Sequence, residues 1–95
     1  MSRFTVQLTR AAVKDLDAVP QVHRRHLATD LRAPADLATS WPAGIKRLKG
    51  FGFPLYRLRA GDYRVLFRID GALLTIMRVI NRKDLERTLR GLRRR

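Results

Sequence analysis

Four arginines recur in phase along two neighbouring stretches of this chain, Leu55-Tyr56-Arg57-Leu58-Arg59 and Tyr63-Arg64-Val65-Leu66-Phe67-Arg68-Ile69-Asp70. In extended backbone successive side chains alternate between faces. One face then takes Tyr56, Leu58, Tyr63, Val65, Phe67 and Ile69. The other takes Arg57, Arg59, Arg64 and Arg68, with Asp62 and Asp70 at its ends. Planar guanidinium forks suit phosphate oxygens, and a cluster of them can stabilise the extra charge on a pentacoordinate phosphorus during RNA cleavage without a metal. Arginines this close repel, so grouping them costs stability unless a ligand compensates. The competing reading is a solvated strand face whose arginines lie over aliphatic neighbours. Lys46, Arg47 and Lys49 before these stretches, and Arg82 after them, extend the cationic surface as candidate phosphate and RNA contacts.

The whole chain supports such a partner. It has 95 residues, the size of one small domain, and 45% of them are hydrophobic, enough for a packed core. No linker divides residues 1–95. Twenty-one Lys and Arg against eight Asp and Glu give a net charge of +13. Residues 1–36 hold six basic and four acidic groups, whereas residues 37–95 hold fifteen and four, so the partner-facing surface is expected in the C-terminal part. A field of that size points to a polyanion, and nucleic acid fits better than membrane because no large amphipathic anchor accompanies it. With no cysteine, a disulfide framework, a Cys-based zinc site and a thiol nucleophile are all excluded. No apolar run approaches a bilayer span, so a cytoplasmic location is expected.

Elements that must position the arginines can be read from the patterning. Phe4, Val6 and Leu8 alternate with Arg3, Thr5 and Gln7, predicting a strand. Thr9 stands as N-cap of a first helix over residues 10–18, with Ala12, Val13, Leu16 and Val19 at helical spacing. Pro20 suits the first turn of a second helix carrying Leu27, Ala28 and Leu31, which Pro34 ends. From Ala33 to Gly44 the period is lost, predicting a loop pinned by Trp41. Strands follow at Leu55–Arg59, Tyr63–Asp70 and Ala72–Val79, the last two joined at Asp70-Gly71. Asn81 caps a terminal helix through Leu85, Leu89 and Leu92. The predicted fold is α+β, β-α-α-β-β-β-α, with two helices on the apolar side of a four-stranded sheet and the arginine side open.

Other groups carry less. His23 and His26 are spaced i, i+3, but no third ligand is obvious nearby, so a surface or packing role is the default. Rings in Phe51-Gly52-Phe53 either stack on a nucleobase or close the core edge. Tyr63 is a core or rim aromatic whose hydroxyl could reach the arginine face.

Leu48-Lys49-Gly50 and the run from Leu55 through Ala60-Gly61-Asp62-Tyr63-Arg64 to Phe67 closely resemble the RelE/ParE toxin superfamily. Ala12, Asp15 and Leu16 look like the opening helix of that superfamily, and Val79-Ile80-Asn81-Arg82-Lys83-Asp84-Leu85 is similar to its closing stretch. The resemblance implies a RelE-like fold, a mainly antiparallel four-stranded sheet with a helical hairpin on one face and a C-terminal helix. It also implies the toxin of a bacterial type II toxin-antitoxin pair. RelE-like members are ribosome-dependent endoribonucleases that cut mRNA in the A site: the ribose 2′-OH attacks the adjacent phosphate, leaving a 2′,3′-cyclic phosphate. By matched position, Arg57, Arg59, Arg64 and Arg82 take the catalytic places, with no cofactor, and the charge and placement of Lys46, Arg47, Lys49 and Arg68 make them the RNA contacts beside these. Where many relatives have a tyrosine, this chain has Glu86, either a proton acceptor or an ordinary helix-surface glutamate. The alternative within the superfamily is a ParE-like gyrase inhibitor without nuclease activity. Either implies a cognate antitoxin, to which the charge assigns an acidic amphipathic segment. The nuclease reading adds ribosome and mRNA as partners, and no membrane.

Overall fold

A computed structural model describes residues 4–24 and 44–93. His26, the second-helix stripe of Leu27, Ala28 and Leu31, and Trp41 lie outside the described residues. Among the described residues the strands are β1 (Thr5–Leu8), β2 (Ile45–Leu48), β3 (Leu55–Ala60), β4 (Tyr63–Asp70) and β5 (Leu73–Asn81), and the helices bounded at both ends are α1 (Arg10–Ala18) and α2 (Leu85–Arg93), while residues 21–24 are helical where the second helix is predicted to begin. A 3-10 turn at Arg82–Asp84 leads into α2. The sheet order is β1-β5-β4-β3-β2, with β1 parallel to β5 and the other pairs antiparallel.

The predicted four-stranded sheet therefore gains a fifth strand, β2. Ile-Lys-Arg-Leu is short and half basic, so its composition does not announce a strand. It forms because β3 offers it a ladder, and because Gly44, at φ +98°, turns its carbonyl onto the Arg59 N–H at 2.9 Å.

Helix α1 starts and stops as its residues dictate. Thr9 Oγ1 accepts the Ala12 N–H at 3.1 Å and donates to the Met77 carbonyl at 2.8 Å, capping the helix and tying it to β5 at once. At the far end the Val19 N–H closes on Leu16, and the Arg24 guanidinium donates to the carbonyls of Val19 and Asp17. Ala12 and Val19 are buried, whereas Val13, expected in the same stripe, is 47% exposed. Leu8 is also 40% exposed, because β1 is an edge strand and the chain turns away there.

Strand β5 does not alternate strictly. Leu66 lies opposite Arg78 but Phe67 lies opposite Ile76, which makes Met77 the extra residue of a β-bulge. Ile76 and Val79, three apart, both enter the core under α1 with Leu58, Val65, Phe67 and Leu74. Ile80 and Met77 join a second core on the other face, with Leu55 and Leu66 beneath Leu89 and Leu92 of α2. Helices thus cover both faces, and the side predicted to be open is half occupied by α2. Rings of Phe51 and Phe53 close the edge of that second core, 6.1 Å apart.

Asp15 fastens the bulge. Its carboxylate accepts two bonds from Arg78, at 2.7 and 3.0 Å, and the Val79 N–H at 2.9 Å. Hydrogen bonding to Asp15 raises the pKa of Arg78 against the cost of burial. The aspartate side chain is only 15% exposed, so truncating it leaves a partly desolvated guanidinium and a strand N–H without their acceptor. We expect Asp15→Ala to cost about 2–3 kcal/mol in urea unfolding. The exposed Asp17→Ala should stay within about 0.5 kcal/mol. Equal losses in the two variants would deny Asp15 this role.

Candidate active site

Arg59 and Arg64 are cross-strand partners at the end of the β3–β4 hairpin, whose two-residue turn is Gly61-Asp62. Glycine supplies the left-handed φ of +60° that the turn requires. Its geometry places two cations. Arg64 Nη1 donates to the carbonyls of Gly61 at 2.8 Å and Tyr63 at 2.9 Å, folding the guanidinium back beneath the turn. The Arg82 N–H donates to the Asp62 carbonyl at 2.8 Å, and its guanidinium stands 3.8 Å from the Asp62 carboxylate. Asn81 Oδ1 caps the following turn by accepting the Lys83 N–H, as its place in the sequence predicts.

Arg57 lies two residues back along β3, opposite Leu66 and next to Lys46 of β2. Its stem lies half-buried at the margin of the second core, and its Nε is buried with no hydrogen-bond partner among the described residues. Arg59 and Arg82 are exposed. Arg64 sits at the centre of this field. Burial, then Arg59, Arg57 and Arg82, lower its pKa from the ordinary arginine value, and only Asp62 opposes them. All four predicted catalytic arginines therefore act on one point.

The remaining predicted contacts divide. Lys46 shares the face of Arg57 and extends the cluster onto β2, whereas Arg47 is opposite Tyr56 and so belongs to the other face. Lys49 is exposed in the loop after β2. Arg68 stands at the far end of β4, opposite Leu55, with both carboxylate oxygens of Asp70 at 2.8 and 3.1 Å and its guanidinium over the Phe53 ring at 4.8 Å. Those partners keep it apart from the cluster. Glu86 is exposed in the first turn of α2, with no ion pair among the described residues. The carboxylate that does stand in the cluster is Asp62, which strand alternation places at the end of the arginine face but to which the sequence assigns no role. Its signal is its position between the turn glycine and Tyr63-Arg64.

Tyr56 stacks on Phe67 with centroids 5.5 Å apart, and Tyr63 meets His23 at 5.6 Å. Both tyrosines pack at the α1-side core rather than joining the arginines. His23 belongs to no group of three or more His, Asp or Glu able to hold a metal among the described residues. No helix among them is long and apolar enough to cross a membrane.

Arginine remains protonated near neutral pH and is a poor proton shuttle. What the cluster can do is bind a dianionic or pentacoordinate phosphate and stabilise charge that develops on it. Sulfate or phosphate should therefore raise the thermal midpoint of the protein, and raise it less in Arg64→Ala. In low salt Arg59→Ala should be more stable than the parent by roughly 0.5 kcal/mol, the scale of one exposed charge pair, and high salt should erase the gain. Identical responses of parent and variants to sulfate would remove the anion site.

Residues 6–86 match a family model described as the ParE toxin of type II toxin-antitoxin systems, parDE. No curated protein matches the chain. Among solved structures, the archaeal RelE-RelB complex of Pyrococcus horikoshii aligns with a TM-score of 0.69 and 26% identity, over 84% of this chain and 96% of that one. RelB-RelE of Methanococcus jannaschii gives 0.69 and 26%, over 85% and 95%. The RelBE2 toxin-antitoxin complex of Mycobacterium tuberculosis gives 0.62 and 28%, over 83% and 98%. These similarities bear out the RelE-like α+β fold, with one strand more than the sequence predicts.

Proposed function

Since the chain belongs to the ParE toxin family, within the RelE/ParE superfamily of type II toxin-antitoxin toxins, we propose that it is a ribosome-dependent endoribonuclease whose arginine cluster cleaves mRNA in the A site. The observation that carries this reading is the convergence of Arg57, Arg59 and Arg82 on Arg64 at a solvent-accessible turn. A protein that only needed solubility would spread these charges; bringing them together is useful when a phosphate enters between them.

In the proposed reaction the ribose 2′-oxygen bonds to the adjacent phosphorus as the bond from phosphorus to the 5′-oxygen breaks. The 2′-OH proton passes to a base, and the departing 5′-oxygen takes up a proton. A 2′,3′-cyclic phosphate and a 5′-OH result. Arg64 and Arg82 stabilise the extra charge on the phosphoryl oxygens, Arg57 and Arg59 hold the backbone phosphates, and Lys46, with Lys49 further out, steers the RNA, while Arg47 on the other face takes no part. Arg68 joins them only by exchanging Asp70 for phosphate. Two carboxylates compete as proton acceptor, Glu86 on α2 and Asp62 beside Arg82.

The family model favours one second reading, gyrase inhibition without nuclease activity. A shared fold serves both functions, so the site must decide. Primer extension on a defined mRNA, naked or held in ribosomes with an empty A site, separates them. Cleavage should require the ribosome and fall roughly 100- to 1,000-fold in Arg64→Ala, the usual cost of removing one transition-state donor. Asp62→Asn and Glu86→Gln identify the base by which one lowers the rate and flattens its pH dependence. Undiminished toxicity of the double variant Arg64→Ala/Arg82→Ala, with inhibition of gyrase supercoiling, would sink the nuclease reading.

A further inference from the structure

Closing the core edge uses only part of Phe51 and Phe53. Both are half-buried against the second core, and both also line a cavity of about 370 Å³, with Lys49, on the loop between β2 and β3. Each ring carries a guanidinium. Arg93 of α2 stands with Cζ 5.0 Å from the centroid of Phe51, and Arg68 of β4 with Cζ 4.8 Å from that of Phe53. The ring centroids are 6.1 Å apart, so two cations and two rings from three separate segments make one continuous row.

Arg68 shows how such a row can be used. Its Nε and Nη2 bond both carboxylate oxygens of Asp70, so the edge of the guanidinium is already satisfied. A phosphate must displace Asp70 to reach it, but a flat group need not. One face of the guanidinium lies over Phe53, and the other is not engaged among the described residues. Arg93 is exposed and rests on the Phe51 ring, with no ion pair among the described residues. The planar group that stacks on aromatic rings and on guanidinium planes alike is an unpaired nucleobase.

Register places this row on the face that carries the arginine cluster. Arg68 lies opposite Leu55 and Arg64 lies opposite Arg59, so the two ends are separated by four steps of either strand, about 13 Å. Lys46 and Arg57, paired with each other, fill the interval. On α2, Glu86, Arg90 and Arg93 share one side at i, i+4 and i+7. The contact of Arg93 with Phe51 turns that side toward the β2–β3 loop, while Arg87, Thr88 and Gly91 line a cavity on the side of α1. A cationic path therefore runs along the sheet beside α2, from the cluster at one end to the aromatic row at the other. Lys46, Lys49, Arg90 and Arg93 have no ion pair among the described residues. The rest of the chain adds only Asp30 and Asp36 as carboxylates, too few to neutralise them.

We propose that this row is a stacking subsite for a nucleobase of the mRNA strand whose scissile phosphate sits in the arginine cluster, a few nucleotides along from the cleaved bond. The proposal rests on the nuclease reading and adds how the strand is held beyond the reacting phosphate. The messenger strand is the occupant because one sheet face joins the two ends with cations between them, the track that a continuous single strand follows. Every base has a π-face, so the subsite tightens binding without choosing a codon.

The test is the ribosome-bound cleavage assay on a set of mRNAs, each with one abasic nucleotide at a successive position flanking the cleaved bond. With the parent, one abasic position should raise KM for the programmed ribosome roughly 10-fold and leave kcat unchanged. Phe53→Leu and Arg93→Ala should each raise KM by a similar factor on the unmodified mRNA and lose the penalty at that one position. Lys14→Ala, which removes an exposed cation of α1 on the opposite face, should match the parent on every mRNA. Leucine keeps the core edge apolar, and a urea midpoint of Phe53→Leu near the parent value separates lost stacking from lost packing. Arg93→Ala, at an exposed position, carries the test should that variant unfold. A parent without a position-specific penalty, or variants that keep it, would overturn the subsite and leave the nuclease reading intact. Variants weakened equally at every position also count against it, since rings set on ribosomal RNA or serving only the core give that pattern. No cleavage by the parent on any mRNA removes the nuclease reading, and the subsite with it.

Discussion

The structure depends on one irregularity, the extra residue that β5 carries at Met77. Side chains of a strand alternate, and one slip of register sends every later residue to the other face. Without the bulge, Arg78 would follow Leu74 and Ile76 into the core under α1, and Val79 would leave it. With the bulge, Arg78 emerges at the strand edge onto Asp15, Val79 enters the core, and Ile80 turns to the face that α2 covers. Thr9 and Asp15 hold the bulge from the first helix, so a local defect in the last strand is fixed by residues more than sixty positions away. Arg82 follows two residues after Ile80, and its approach to the β3–β4 turn inherits that register.

A second tension is resolved on the face bearing the arginines. Leu55, Leu66 and Ile80 alternate there with Arg57, Arg59 and Arg64, so one surface must be dry in part and charged in part. Helix α2 covers the apolar portion and stops short of the hairpin end. Arg57 bridges the two, its stem against the core margin and its Nε buried. Burial and the repulsion of its neighbours act on Arg64, and the hairpin backbone restrains it by accepting two bonds from its guanidinium. Main-chain carbonyls fix Arg64, the centre of the cluster, and Asp62 is the one carboxylate among the described residues that offsets its charge.

Alternation and caps carried most of this information in the sequence. Thr9, Asn81, the two Gly-containing hairpins and the phase of the arginines follow from local rules, and α1 occupies the residues its spacing predicts. What local rules could not supply was anything requiring a distant partner. β2 exists because β3 recruits it, and the bulge exists because Asp15 and Thr9 reach β5 from far away in sequence. The placement of α2 over the arginine side followed from Leu55 and Leu66, which alternation had already put among the cations, and from Ile80, which only the bulge turns to that face. The site's cations were legible for the same reason as the strands; Asp62 was placed on their face but given no role, because its pairing with Arg82 depends on where β5 ends.

Parallel pairing of β1 with β5 joins segments 68 residues apart, as the bond from Gln7 Nε2 to Thr75 Oγ1 at 2.8 Å illustrates. Such long-range closure is slow, because chain entropy is lost before the contact is gained. During synthesis β1 and α1 leave the ribosome with neither their strand partner nor the bulge they must grip. Arg82 is joined to the cluster only when β5 and the turn beyond it have emerged. Assembly of the arginine cluster is thus withheld by topology, as a late event in the chain's own biogenesis, and the unpaired N-terminal strand is the segment that must be kept from the wrong neighbours until then.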